Sequence, residues 1–271
     1  MFPPRIPTSS VVKNTIAASL KGRRAPALLA SLCCVFSCLI CSLINSVLSI
    51  AFVGSFSFVP YIFGAVLSFF VLMPLFLGTV RYFWRFTDGA EDSPSEVFFY
   101  FSSFSLYKRA ISCVFAVGLR CAVVVILCLL PYIAVSLFCE GWIFRFLGAE
   151  MPIWAQGLVL VQGFLLVAGS LGGGLLALRY YLFSAVVVMD DEIHPLEALR
   201  ISSMVARQSQ GSFLELLFSL LGWILLSFLL VPLFYTAPLF FGCYAVHCRY
   251  AIVNYNESLK AYSDDNFTPY I

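Results

Sequence analysis

The sequence predicts an all-α, polytopic membrane protein with six transmembrane helices. Composition gives the first indication, since 61% of the 271 residues are hydrophobic and only 11% are charged. Soluble domains carry roughly 25% charged residues, so this chain needs a lipid bilayer to cover its apolar surface. The lengths of the apolar segments and the placement of the basic residues lead to the same fold class. The net charge of +2 gives no reason to expect a nucleic-acid partner.

Six apolar segments approach or exceed the roughly 20 residues that a helix needs to cross a bilayer. The first follows a basic cluster, as in a signal peptide, but it is longer than the roughly 7–15 residues of a secretory h-region. We therefore expect it to be retained as an anchor. Pro232 and Pro238 disfavour one continuous helix through the last two segments and predict a tight hairpin there. The predicted spans are 26–50, 58–80, 114–138, 155–178, 213–231 and 233–249.

The basic residues predict the orientation, because Lys and Arg concentrate on the cytoplasmic side of membrane proteins. With the N-terminus inside, fifteen of the sixteen Lys and Arg side chains fall on the cytoplasmic side, and only Arg145 falls outside. Six spans return the C-terminus to the side on which the chain began. We therefore predict that both termini are cytoplasmic.

A short repeat marks the end of each helix that runs toward the cytoplasm. All three of these helices end in Arg-Tyr, a pair that suits the inner headgroup region as an interfacial anchor. Two of them also share the pattern Pro-Leu-Phe-x-Gly, at Pro74–Gly78 and Pro238–Gly242. The predicted inner-interface anchors are Arg81, Tyr82, Arg179, Tyr180, Arg249 and Tyr250.

A short amphipathic or polar segment precedes each helix that runs outward, and we interpret the three segments as cytoplasmic interfacial helices. Ser93 is expected to cap the second one, with Pro94 at its start. The segments are Val11–Gly22, Ser95–Arg109 and Pro195–Gly211. The pattern predicts one membrane domain, 1–271, built from three hairpin units. The units cover about 8–82, 93–180 and 194–250, and a polar C-terminal tail covers 256–271.

Small residues concentrate in the second half of the fourth predicted span, which is the first candidate functional segment. Their spacing contains small-xxx-small twice, and this spacing lets helix backbones approach closely. The alternative is a hinge or unwound gate that lines a cavity, as in transporters. The candidate gate or packing residues are Gly169, Ser170, Gly172, Gly173 and Gly174.

The sequence predicts no catalytic, cofactor-binding or metal-binding residues. No predicted span carries a clear Asp, Glu, Lys or His near its midpoint, which argues against proton-coupled transport. The sequence contains no phosphate-binding loop, nucleophile elbow or His-Glu-x-x-His motif. Cys243 and His247 at i, i+4 suit either a shared metal or ordinary packing, and packing is favoured because zinc needs three or four protein ligands. Glu215 is interpreted as an anion in the first turn of the fifth span.

Two acidic clusters follow the first two inward helices at equivalent positions. Such clusters either bind a divalent cation or a basic partner, or form solvated loops before an interfacial segment. The solvated loop is the simpler interpretation. The clusters are Asp88, Glu91 and Asp92, and Asp190, Asp191 and Glu192.

The segment Phe218–Ser227 reads Phe-Ser-Leu-Leu-Gly-Trp-Ile-Leu-Leu-Ser. It resembles the Ser-Phe-Ile-Gly-Trp signature of a domain-of-unknown-function family of multi-pass membrane proteins that is common in Firmicutes. The signature residues are Gly222 and Trp223, although Leu-Leu precedes them here in place of Phe-Ile. Further residues resemble the family in order: Asp190, Ala198, Leu199, Ser202, Gly211, Pro238 and Tyr244.

This family is itself distantly similar to the membrane domain attached to some glycerophosphodiester phosphodiesterases. The resemblance implies a multi-pass topology and a bacterial cytoplasmic membrane. It brings no catalytic residues, because the family has none established.

Taken together, these features favour a non-enzymatic envelope scaffold or accessory subunit. Its expected partners are the lipid bilayer and either another membrane protein or a second copy of the chain, with no cofactor. The alternative is a transporter or export component for an apolar or amphipathic solute, with the glycine-rich helix as its gate. An intramembrane enzyme would need a nucleophile and a base, and the spans contain no such pair.

Overall fold

The computed structural model describes residues 8–52, 58–90, 93–138, 153–226 and 230–263, and all regular secondary structure within these ranges is helical. A π-helical turn, Ser68–Leu72, joins α3 to α4, a 3₁₀ helix covers Pro94–Phe101, and a 3₁₀ turn, Leu178–Tyr180, follows α6. The α-helices are α1 Ser9–Leu20, α2 Arg24–Ala51, α3 Val59–Leu67, α4 Met73–Thr87, α5 Phe104–Phe138, α6 Ile153–Ala177, α7 Phe183–Met189, α8 Pro195–Leu226 and α9 Leu230–Ser263.

Within the described ranges, four helical stretches are long and apolar enough to cross a membrane: Arg24–Ala51, Val59–Thr87, Phe104–Phe138 and Gly157–Met189. They correspond to the first four predicted spans, so the prediction of an all-α chain with span-length apolar helices is confirmed to this extent. The fifth predicted span, 213–231, covers the second half of α8 but extends past Leu226, and the sixth, 233–249, falls within α9. Their role as spans stays a prediction.

The third predicted interfacial segment is wrong as a separate helix. It is the first half of α8, which continues through Gly211. An internal glycine costs only about 1 kcal/mol relative to alanine, and burial of Phe213 and Leu216 just beyond it outweighs that cost. Glu215 therefore lies inside a helix and not at its start. Its Oε1 accepts a hydrogen bond from Oγ of Ser9 at 3.3 Å.

The second predicted segment is also divided differently. It forms the 3₁₀ helix and then the first turns of α5, which begins at Phe104. A 3₁₀ helix repeats every three residues, so Val97 and Tyr100 are the pair that is fully buried, whereas Phe104 is exposed. The segment Ser95–Arg109 therefore does not form the single interfacial helix that the sequence predicts. The expected cap is confirmed, because Oγ of Ser93 accepts a hydrogen bond from the backbone N–H of Ser95 at 3.4 Å.

Neither Pro232 nor Pro238 ends a helix, contrary to the prediction. α8 ends at Leu226 and α9 begins at Leu230 and runs through Pro238. Pro232 lies in the first turn of α9, where a backbone N–H has no intrahelical acceptor, so it does not end the helix. The connection between the two helices, residues 227–229, is outside the described ranges.

Buried side chains concentrate at one end of the bundle, which we call the arginine end because it carries Arg81, Arg109 and Arg249 with Asp88 and Asp191. In α2 and α5 the buried residues all belong to the half nearest this end, since they lie between Ala27 and Cys34 in α2 and between Ala110 and Val114 in α5. No residue between 115 and 138 is buried, and α6 packs chiefly against α5. The α5–α6 pair therefore extends away from the core with apolar side chains on its surface.

The two Pro-Leu-Phe-x-Gly runs are sites where a short helical segment packs against a longer helix. A Cβ at Gly78 in α4 would lie 1.9 Å from the backbone oxygen of Val97 in the 3₁₀ helix. A Cβ at Gly242 in α9 would lie 2.6 Å from Cδ1 of Ile16 in α1. Gly78 is needed for this close approach because a backbone atom faces it, whereas at Gly242 the end of the Ile16 side chain would have to shift. Each one receives the interfacial segment of another predicted unit.

Candidate functional site: a central apolar cavity

A cavity of about 320 Å³ lies where the three predicted units meet. Its walls come from α4, α5, the 3₁₀ turn with α7, α8 and α9, and eight of its thirteen lining side chains are aromatic. Nine of the thirteen belong to the apolar stretches Val59–Thr87, Phe104–Phe138 and Gly157–Met189. The cavity is therefore built mainly by helices that are long and apolar enough to cross a membrane.

One hydrogen-bond chain fixes Tyr181 beneath the cavity. Oγ of Ser209 donates to the carbonyl oxygen of Val205 at 3.0 Å and lies 2.7 Å from the phenol oxygen of Tyr181. Since Ser209 has already used its only proton, the phenol of Tyr181 must be the donor to it. Nε2 of His247, 3.1 Å from the same phenol, is then the donor to Tyr181. The network thus assigns His247 the Nε2–H tautomer.

A second hydrogen-bond chain runs through the hydroxyl groups of Ser184 and Tyr244. The phenol of Tyr244 donates to the backbone oxygen of Tyr181, so Oγ of Ser184, 2.5 Å away, must donate to Tyr244. Both chains end on backbone carbonyls. They tie the 3₁₀ turn and α7 to α8 and α9 and leave no hydroxyl proton free at the floor of the cavity.

Aromatic stacking completes this floor. The ring of Tyr181 lies 3.9 Å from that of Phe213, at an interplanar angle of 11°, and Phe213 also lies 5.5 Å from the ring of His247. No charged residue lines the cavity. The site therefore offers apolar surface with hydroxyl oxygens that accept hydrogen bonds, and it has no ion to balance a bound charge.

A second apolar cavity, of about 300 Å³, lies between α2, α8 and α9. Phe240 and Phe241 line both cavities and pack edge to face, with 5.9 Å between their ring centroids. These two rings form part of the wall between the cavities.

The predicted glycine segment lies in α6, and its small residues face two directions. Gly169 and Gly173 are the only buried residues between 157 and 177. A Cβ at Gly169 would lie 2.7 Å from the carbonyl oxygen of Cys128 in α5, and one at Gly173 would lie 3.3 Å from Cα of Val125. Ser170 is exposed, and a Cβ at Gly172 or Gly174 would have nothing within 4 Å.

The signature residues lie toward the end of α8. Gly222 is exposed with open space around it, whereas Trp223 lines the second cavity and its ring lies 5.5 Å from that of Tyr235. The structure does not bring these two residues to the central cavity.

The predicted Arg-Tyr anchors differ in their surroundings. The guanidinium of Arg81 pairs with Asp191 and stacks on Phe99, while Tyr82 is buried beside Phe83 and Phe86.

At the other two pairs, Arg249 forms an ion pair with Asp88 and donates to the carbonyl oxygen of Trp84 at 2.7 Å, next to half-exposed Tyr250. Arg179 is exposed, and Tyr180 lines the central cavity.

The acidic clusters are engaged by arginines, so the solvated-loop interpretation is incomplete. Asp191 accepts two hydrogen bonds from Arg81, and the backbone oxygen of Asp190 accepts one from Arg109 at 2.7 Å. The Arg81 contact links the loop after the second predicted unit to a helix of the first unit, and the Arg109 contact links that loop to the start of α5 in the second unit. Glu91 and Asp92 lie outside the described residues.

The polar floor was not predicted from the sequence, although part of its signal is visible there. Tyr244 and His247 share one face of a helix at i, i+3, and Ser209 and Phe213 do so at i, i+4. Tyr181 and Ser184, which complete the floor, come from a turn and a short helix with no such pattern. His247 is 1% exposed, and within the described ranges no three His, Cys, Asp or Glu side chains are placed to share a metal ion.

Over the residues that the structure describes, these features define an all-helical membrane-type protein with four helices long and apolar enough to cross a membrane, and with a central apolar cavity above a hydroxyl-lined floor. No protein-family model, curated protein or solved structure matches the chain. The resemblance to the domain-of-unknown-function family therefore stays a prediction.

Proposed function

We propose that this chain is a six-span protein of the bacterial cytoplasmic membrane, with both termini in the cytoplasm, that acts as a non-enzymatic scaffold or accessory subunit. The placement of Lys and Arg along the sequence supports the topology. The bacterial membrane rests on the resemblance alone.

The observation that carries the proposed role is the surface of α6. Its Gly169–Gly173 pair packs against α5, whereas the Ser170–Gly174 pair, one residue further along, is exposed. Small residues four apart let a second helix approach closely in a bilayer. We propose that a transmembrane helix of another membrane protein packs on the Ser170–Gly174 face. A second copy of the chain is the competing occupant.

The test is the recovery of a partner from native membranes in mild detergent. Gly174→Leu should abolish recovery of a stoichiometric membrane-protein partner, because leucine blocks close approach at that face. Gly172→Leu is the matched control, since it also adds a side chain into open space but on another side of α6.

A photoreactive residue at position 170 should crosslink to the same partner. Crosslinked dimers of the chain would instead show that the occupant of this face is a second copy. The scaffold role is contradicted if the chain is recovered alone, or if Gly174→Leu retains the partner in the parent yield.

The second candidate function is transport or export of an apolar or amphipathic solute, and the central cavity favours it. No residue of the glycine-rich helix α6 is among those that line the cavity, but α6 continues through the 3₁₀ turn to Tyr180 and Tyr181, which do line it. With α6 as the gate, Gly173→Leu should abolish flux in reconstituted vesicles. Unchanged flux in a variant that remains folded would refute the gate.

A further inference from the structure

We propose that the central cavity binds the hydrocarbon chain of a neutral membrane amphiphile, and that a hydroxyl group on this ligand is accepted at the cavity floor. The inference rests on the second candidate function for its biological use and deepens it by naming the class of solute. Binding itself does not depend on transport.

The size and lining of the cavity favour a hydrocarbon chain. A volume of about 320 Å³ holds on the order of ten methylene-sized groups, at the ~30 Å³ that a water-sized group occupies in a liquid. Apolar cavities of this kind stay dry and bind apolar molecules. Since nine of the thirteen lining residues lie on candidate spans, the surrounding solvent is a bilayer, and its chains are the available occupants.

The rim of the cavity gives such a chain a lateral route. Met73 at the rim is 44% exposed, and Val117 and Phe240 are half-buried. Met73 and Val117 belong to α4 and α5, which are both parts of candidate spans. A chain can therefore enter between these helices from the hydrocarbon layer, past Met73 and Val117.

The direction of the hydrogen bonds selects a neutral ligand. Ser184 donates to Tyr244, and Tyr244 donates to the backbone of Tyr181, so the floor can accept a further hydrogen bond but has no proton to give. A carboxylate or phosphate buried there would find neither a donor nor a counter-ion, which is costly. A hydroxyl group can donate to Oγ of Ser184 and, being neutral, does not carry the cost of burying an unpaired charge.

The experiment uses the full chain in detergent micelles and a photoreactive probe, 1-dodecanol with a diazirine in the middle of its chain. Saturable labelling is expected on the peptides that contain Phe213 and Tyr244. Unlabelled 1-dodecanol should compete at least about tenfold better than dodecanoate at alkaline pH, where the acid is charged.

Two tryptophan variants and one control separate the cavity from the outer surface. Val117→Trp fills the cavity, and Met73→Trp narrows its rim at an exposed position that tolerates a larger side chain. Each should weaken labelling by at least about tenfold, the effect of excluding about two methylene groups. Val123→Trp, at an exposed position on α5 away from the cavity, should leave labelling unchanged.

The outcomes decide between binding and its absence. Labelling that never saturates, that survives Met73→Trp in folded protein, or that dodecanoate suppresses as well as dodecanol, overturns the proposal. If labelling saturates but the protein moves no alcohol across the vesicle membrane, the binding site is supported and the transport function is refuted. Failure of binding and failure of transport are therefore distinguishable.

Discussion

The carboxylate of Asp191 accepts two hydrogen bonds from Nη1 of Arg81, at 2.7 Å to Oδ1 and 2.9 Å to Oδ2. Arg81 lies inside α4, which continues to Thr87 and does not end at the Arg-Tyr pair as predicted. Asp191 follows α7, so the pair joins the first predicted unit to the loop between the second and third units. The guanidinium of Arg81 also lies over the ring of Phe99, with Cζ 3.7 Å from the ring centroid. Arg81 is therefore held on one side by charge and on the other by an aromatic face.

Asp191→Asn should lower the free energy of unfolding by about 1 kcal/mol at low salt and by less at high salt. The Arg81 side chain is 12% exposed but that of Asp191 is 43% exposed, so water and salt screen much of the attraction. Thermal unfolding in detergent at two salt concentrations measures the effect. Glu192→Gln, on the exposed next residue, is the control and should leave the midpoint unchanged. Equal shifts in both variants would refute a specific pair.

Helix existence was predictable from the sequence, because apolar runs and basic flanks act over many residues. Boundaries were less so. Gly211 looked like a helix end, but the packing of Phe213 and Leu216 carries α8 through it. Val97 and Tyr100 could be predicted as a buried pair only if their helix were known to repeat every three residues. The structure shows this helix packed against Gly78, a tertiary contact that the local sequence does not reveal.

The candidate cavity was not predictable, because it is assembled from segments far apart in sequence. Ser184 and Tyr244 meet across 60 residues, and Tyr181 and His247 across 66. No local pattern encodes such pairs. The glycine segment was predictable as a small-residue stripe, but only the structure shows that Gly169 and Gly173 face α5.

Gly78→Ala should destabilise the protein by about 3 kcal/mol or more, at the upper end of overpacking costs. The new Cβ would overlap the backbone oxygen of Val97 at 1.9 Å, and a backbone atom cannot rotate away as a side chain does. Gly118→Ala is the matched control, since that glycine also lies inside a helix but has nothing within 4 Å of its Cβ. Alanine there should be neutral or stabilising by up to about 1 kcal/mol. Denaturant unfolding in micelles compares the two, and similar midpoints would contradict the close approach.

Tyr181→Phe should cost about 1–3 kcal/mol, because it removes the phenol between Ser209 and His247 and leaves the imidazole N–H without its acceptor. The ring of phenylalanine still stacks on Phe213, so the loss comes from the hydrogen bonds. Tyr180→Phe changes the neighbouring cavity-lining ring and should have little effect on stability. Double-mutant cycles between Tyr181→Phe and Ser209→Ala, read by thermal unfolding, should give a coupling energy. Additive effects would show that the two hydroxyls do not interact.

Tyr100→Phe should be neutral or slightly stabilising up to pH ~10 and increasingly stabilising above that pH. The Tyr100 phenol is 0% exposed and has no hydrogen-bond partner among the described residues, so its removal sacrifices no bond. Burial, partly offset by the nearby guanidinium of Arg81, raises the pKa of Tyr100 to about 12 from roughly 10 in an unfolded chain.

Below pH ~10 the phenol is neutral in both states and contributes no pH dependence. As the pH rises from about 10 to about 12, the unfolded state loses the proton first, and the parent loses up to roughly 2–3 kcal/mol of stability. Phenylalanine cannot ionise, so the difference in unfolding free energy between variant and parent should be flat up to pH ~10 and grow above it. Chemical unfolding of both proteins across this range measures the difference curve. A difference that stays constant into the alkaline range would mean that the Tyr100 hydroxyl is solvated in the folded protein.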